Sequence, residues 1–102
     1  MSNPPINIKR IKKNSARIAQ FLRLLGNEDR LLILVQLLGG EFCVSELQEI
    51  LDIHQPTLSQ QLGVLREASF VSARRDGKNI YYSVEDHFVI AVINSISNTG
   101  LL

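Results

Sequence analysis

The eight residues Leu31 to Leu38 contain a single polar side chain, Gln36, and end against Gly39-Gly40. A helix that is apolar nearly all round has no face to turn to water, so this segment predicts a buried central helix. With 102 residues in total, the chain has room for one domain and a modest core wrapped around that helix. The 45% apolar and 21% charged content predicts a globular rather than a disordered chain. Charges interrupt every apolar stretch before spanning length, which predicts no membrane contact. No basic start followed by an apolar run and a small-residue cleavage site is visible. Cys43 is the single cysteine; an internal disulfide is therefore impossible, and a reducing, cytoplasmic setting is expected.

Punctuation residues divide the rest. Residues 1–13, with Pro4-Pro5 and a run of Lys and Arg, read as a flexible basic arm. Asn14 or Ser15 can cap a first helix reaching about Leu25, with Ile18, Phe21, Leu22 and Leu25 on one face. Gly26 stops it and Asn27 caps the central helix. After an extended Glu41 to Val44, Ser45 and Gln48 form a capping-box pattern for a third helix bearing Leu47, Ile50 and Leu51. Asp52-Ile53-His54 is a tight connection to a fourth helix, about Pro56 to Ala68. Phe70 to Arg75 and Asn79 to Val84 read as strands joined through Asp76-Gly77-Lys78. Glu85 or Asp86 opens a last helix through about Ser97, carrying Val89, Val92, Ile93 and Ile96. The result is a mainly α chain with a small β-hairpin, ordered α-α-β-α-α-β-β-α. Two helices across a three-residue turn, followed at once by a hairpin, suggest a winged helix-turn-helix, although other arrangements of these elements exist.

Net charge is only +1, but its distribution is uneven. Lys9, Arg10, Lys12, Lys13, Arg17 and Arg23 occupy the first quarter without an acid, and Arg74, Arg75 and Lys78 cluster at the hairpin tip. Such asymmetry can build a basic face, while an ordinary mixed surface would look the same from charge alone. The fourth helix says more. Leu58, Leu62 and Leu65 share its inward face, yet Gln55 to Gln61 holds no charge, whereas a solvated helix surface favours Glu, Lys and Arg. Short hydroxyl and amide side chains suit base edges in a major groove, which makes Gln55, Thr57, Ser59 and Gln60 candidate DNA contacts. Arg74, Arg75 and Lys78 are candidate contacts to phosphates or a minor groove. Gly63, inside this helix, predicts close packing of another element against it.

An enzyme is disfavoured. His54 and His87 have no carboxylate pair, phosphate loop or nucleophile motif beside them, and no cofactor is implied. His54 is better placed to cap the fourth helix or touch a phosphate. A winged helix acting through protein partners, or a repressor controlled by abundance, is the competing reading.

From about Ser15 to Tyr82 the chain resembles the ArsR family of bacterial winged-helix repressors, and within it the BigR/HlyU-like branch. The matching stretches are Asn27-Glu28-Asp29-Arg30-Leu31, Glu41 to Leu47, Gln55 to Leu62, Leu65-Arg66-Glu67, Arg74 to Lys78 and Ile80-Tyr81-Tyr82. The resemblance implies a homodimer built by the first and last helices (Ile18, Phe21, Val89, Val92, Ile93 and Ile96) that binds an inverted repeat in double-stranded DNA. Residues 14–98 would then form the DNA-binding and dimerisation domain and 99–102 a tail. It also implies sensors that this chain departs from. Relatives with two thiolates flanking a valine are matched by Cys43-Val44-Ser45, one thiolate short. At the interhelical zinc positions, Asp86 matches, but Phe88, Thr99 and Leu102 stand where ligands would be, and His87 lies on another face. The positions of an internal dithiol switch hold Val35 and Leu101. No metal site is therefore expected and the inducing signal stays unknown, leaving Cys43, just before a helix N-terminus, as a possible thiol sensor against the alternative of a small core residue.

Overall fold

The computed structural model of the chain describes residues 5–100. Helix α1 spans Ile8–Leu25, α2 Glu28–Leu37, strand β1 Phe42–Cys43, α3 Val44–Leu51 and α4 Gln55–Glu67; β2 (Val71–Asp76), β3 (Asn79–Val84) and α5 (His87–Asn98) follow. This is the expected element order. Leu101 and Leu102, which stand at sensor positions of the family, lie outside the described residues.

The helix starts follow local hydrogen bonding. Asn27 Oδ1 accepts from the Arg30 N–H at 3.0 Å, and Asp86 Oδ1 accepts from the Val89 N–H at 2.9 Å, each relieving an unpaired donor of the first turn. Two starts differ from the expectation. Helix α1 is not capped at Asn14 or Ser15 but at Asn7, whose side chain accepts from Lys9 and Arg10. Residues 8–13, expected in a flexible arm, are therefore helical. The reason is a hidden repeat: Ile8, Ile11, Ser15, Ile18, Leu22 and Leu25 sit at alternating three- and four-residue spacing, and the intervening Lys and Arg are good helix formers. Helix α3 begins one residue ahead of Ser45, with Cys43 as its N-cap. The reciprocal partner is Glu46, whose Oε1 accepts from the Cys43 N–H at 3.0 Å.

The strands form one antiparallel sheet in the order β1-β3-β2. Phe42 faces Tyr82, and the hairpin register runs from Val71 opposite Val84 to Asp76 opposite Asn79. Gly77 and Lys78 are the two turn residues, and Gly77 adopts φ 64°, a conformation glycine takes without strain.

The core gathers Ile33, Leu34 and Leu37 of α2, Leu47 of α3, Leu58, Leu62 and Leu65 of α4, Phe70, Val71, and Val89 and Ile93 of α5. Helix α2 is central, as its composition demands, although Leu32 on its outer side remains 41% exposed. Each fully buried Leu or Ile contributes about 1.5–3 kcal/mol through removal from water. Together they fix the rotation of α4: its leucines point in, so Gln55, Ser59 and Gln60 point out.

Within one protomer the packing already takes up part of the expected dimer surface. Val89 and Ile93 are 0% and 1% exposed within one protomer and belong to its own core. Phe21 and Val92 pack partly against that core, and Ile96 is half-buried. The large apolar side chains left outward on these helices are Ile8, Ile11, Ile18 and Leu22 of α1 and Phe88 of α5. The apolar stripe of the last helix thus holds residues that the protomer buries itself, while Phe88, one position ahead of Val89, is the large side chain it leaves exposed.

Candidate nucleic-acid interface

Helix α4 leaves its first turn open. His54 is its N-cap, but its imidazole makes no hydrogen bond to the helix end; the expected side-chain cap is not formed. Pro56 occupies the first turn, where a missing N–H costs nothing. The remaining free N–H groups and the positive end of the helix favour an anion such as a phosphate oxygen.

From that end the outward face runs through Gln55, Pro56, Ser59, Gln60 and Gly63, all exposed, before the first charged positions, Arg66 and Glu67. Thr57 lies to one side and is half-buried. Gln61 is already engaged: its Oε1 accepts from Arg30 Nη1 at 2.9 Å, while Arg30 Nε donates to the Leu24 carbonyl at 2.7 Å. Arg30 thus ties the C-terminal end of α1 to the side of α4. In the sequence Arg30 stands out only as part of a matching stretch, and its 31-residue separation from Gln61 hides this role.

Across from the start of α4 stands the hairpin. Gln55 and Ser59 share one groove with Lys78, Asn79, Ile80 and Tyr82, and its lining also includes Cys43, Val44 and Ser45. The fold therefore brings an amide, a hydroxyl and a cation from segments about twenty residues apart onto one side of the molecule. Arg74 and Arg75 are exposed farther up β2, and neither lines the groove. Arg74 is held by Glu41 in a two-pronged pair, Nε to Oε2 at 2.7 Å and Nη2 to Oε1 at 3.0 Å, and its guanidinium carbon lies 5.1 Å from the Tyr81 ring centre. Hydrogen bonding and charge attraction within the pair hold the Glu41 carboxyl below its ordinary range and raise Arg74 above its own.

Cys43 is 6% exposed, and its Sγ lies 3.2 Å from Ser45 Oγ. Its backbone is part of β1 as well as the cap of α3, so the thiol sits where sheet and helix meet. Gly63 departs from expectation: a Cβ there would meet nothing within 4 Å, so no element among the described residues packs against it. Among the described residues no helix is long and apolar enough to cross a membrane.

Comparison with known proteins decides the family. The model for bacterial regulatory proteins of the arsR family matches residues 27–73. The biofilm growth-associated repressor of Agrobacterium fabrum is 42% identical over 91 residues, covering 89% of this chain and 78% of that protein. The chain belongs to the ArsR family. A further relative is the transcriptional activator HlyU of Vibrio cholerae, 36% identical over 93 residues, 91% of this chain and 86% of that one. The crystal structure of the transcriptional repressor BigR from Xylella fastidiosa superposes with a TM-score of 0.86 at 36% identity, covering 92% of this chain and 96% of that one. Within the ArsR framework α3 and α4 are the helix-turn-helix, β2 and β3 are the wing, and the chain is a winged-helix DNA-binding transcriptional regulator and not an enzyme.

Proposed function

We propose that this regulator acts in the cytoplasm as a homodimeric repressor that binds an inverted-repeat operator in double-stranded DNA, without a cofactor. The observation that carries the reading is the single groove where uncharged Gln55 and Ser59 of α4 meet Lys78 of the wing. Gln55, Ser59 and Gln60 read base edges, Thr57 supports them from the side, and Arg74, Arg75 and Lys78 neutralise phosphates. Two arguments support the dimer. Ile8, Ile11, Ile18 and Leu22 form an apolar seam on α1 at heptad spacing, all at least 40% exposed in one protomer. An apolar recess between α1 and α5, lined by Ile18, Phe21, Leu22, Phe88 and Val92, continues that seam. The proposed interface is therefore Ile18, Leu22 and Phe88, with Phe21, Val92 and Ile96 at its edge. A two-fold assembly presents two α4 helices to half-sites about 34–36 Å apart.

The deciding experiment is selection of bound duplexes from a random-sequence pool by the purified protein, performed in reductant and repeated after oxidant with wild type and Cys43→Ser. The expected product is a palindromic consensus bound by a dimer. Recovery of no preferred duplex at low salt by wild type would end the proposal. A thiol signal through Cys43 requires oxidant to weaken wild type and spare Cys43→Ser; burial of the thiol makes that reaction slow. Equal behaviour of the two proteins favours the second reading, a repressor set by its abundance or by a protein partner.

A further inference from the structure

Gly63 lies at the centre of the outward face of α4, one turn beyond Ser59 and three residues beyond Gln60. Glycine is a poor helix former, so its place inside a helix calls for a reason. Three physical reasons exist. One is a left-handed backbone, but Gly63 is not among the positive-φ glycines, which are Gly40, Gly77 and Gly100. Another is close packing inside the chain, but the space where its Cβ would stand is open. The remaining reason is close approach by something outside the chain. On its N-terminal side its neighbours on that face, Ser59 and Gln60, are uncharged, and the exposed Arg66 and Glu67 follow one turn on; the helix beneath is held in rotation by Leu58, Leu62 and Leu65 and by the Arg30–Gln61 hydrogen bond. A rigid helix with a missing methyl at its centre can seat its backbone against a flat edge more closely than its neighbours alone would allow.

We infer that Gly63 is a specificity-determining position: the bare backbone of α4 there rests against the base edges of the major groove, setting the depth at which Ser59 and Gln60 reach them. This inference rests on the DNA-binding reading above and deepens it. Restoring a methyl would lift the helix away from the bases and lengthen those hydrogen bonds, while leaving the wing free to hold phosphates.

The test compares wild type, Gly63→Ala and Gly63→Ser on a duplex selected by wild type from a random pool and on an unrelated duplex of equal length. Both variants are expected to melt several degrees higher than wild type or equal to it, alanine the higher. Both should bind the selected duplex at least about tenfold more weakly, the scale of one good base-edge interaction, and the unrelated duplex within twofold of wild type. Unchanged affinity for the selected duplex, or an equal loss on both duplexes, overturns the inference. So does a lowered melting temperature, which would mean the glycine serves the fold. If wild type itself selects no duplex, the DNA-binding reading fails instead, so the two failures are distinguishable.

Discussion

Helix α4 and the wing flank the same groove with opposite chemistry. The exposed first turns of α4 carry amides and hydroxyls on a helix locked by three buried leucines, whereas the hairpin carries cations, Arg74 and Arg75 exposed on β2 and Lys78 in the two-residue turn. Hydrogen bonds to base edges discriminate sequence and depend on placement to within a fraction of an ångström, which a core-anchored helix supplies. Charge neutralisation of phosphates works from many geometries and tolerates a mobile support. The difference assigns preference to α4 and salt-dependent affinity to the wing, and both assignments can be broken.

The largest effect is expected from removing the proposed two-fold assembly that would pair the grooves. Ile18→Asp or Leu22→Asp changes residues that are 40% and 54% exposed in one protomer, so the monomer fold survives in circular dichroism. Sedimentation should show a monomer at concentrations where wild type is dimeric. Operator affinity should drop about 10²-fold or more, because the second half-site no longer binds as an intramolecular event. A dimer unaffected by both substitutions would remove the proposed seam.

Next come the proposed base-reading positions. Ser59→Ala or Gln60→Ala should cost about 1–3 kcal/mol on a selected duplex and nearly nothing on an unrelated one, measured by titration at fixed salt. Arg75→Ala and Lys78→Ala should do the reverse: sequence preference stays, and the slope of log affinity against log salt shrinks by about 0.9 for each phosphate that is no longer neutralised. If the wing substitutions flatten preference and the helix substitutions change only the salt slope, the division of labour is inverted.

Much of this was legible in the sequence because the chain is punctuated by residues with local effects. Asn27, Gly39-Gly40, the Pro56 turn and Gly77 mark element ends through capping and backbone freedom, which neighbours in sequence decide. What stayed hidden depended on distant partners or on one-residue shifts of face. The N-terminal turns of α1 were masked because Lys and Arg crowd around Ile8 and Ile11. Phe88 and Val89 differ by about 100° around α5, and only the packing tells which is buried. Arg74 resembles a free cation in the sequence, since its partner Glu41 lies 33 residues earlier and is brought alongside when β1 pairs with β3. Gly63 suggests internal packing, which the open space above it contradicts.

The smallest expected effect concerns the Glu41–Arg74 pair and sharpens the wing's side of the comparison. In the free protein the Glu41 carboxylate occupies the guanidinium fork of Arg74 at 2.7 and 3.0 Å, the arrangement a phosphate would otherwise take. The Glu41 carboxylate takes one edge of the guanidinium and Asp76 lies 3.8 Å from Nη1, so part of the attraction of Arg74 to phosphate is already cancelled. Glu41→Gln removes the competing charge and should raise affinity about two- to threefold on selected and unrelated duplexes alike, steepening the salt slope by up to about 0.9. In the Arg74→Ala background the same substitution should do nothing, which separates release of Arg74 from a general loss of negative charge. Acid acts on the same pair. Glu41 is held below its ordinary range by Arg74, so whatever stability the pair adds is present at neutral pH and fades as pH falls through that lowered value. Exposure on both sides keeps that stability small. A lower affinity for Glu41→Gln would mean that the carboxylate instead braces the wing in its binding position, and Arg74 would then leave the set of phosphate-binding residues.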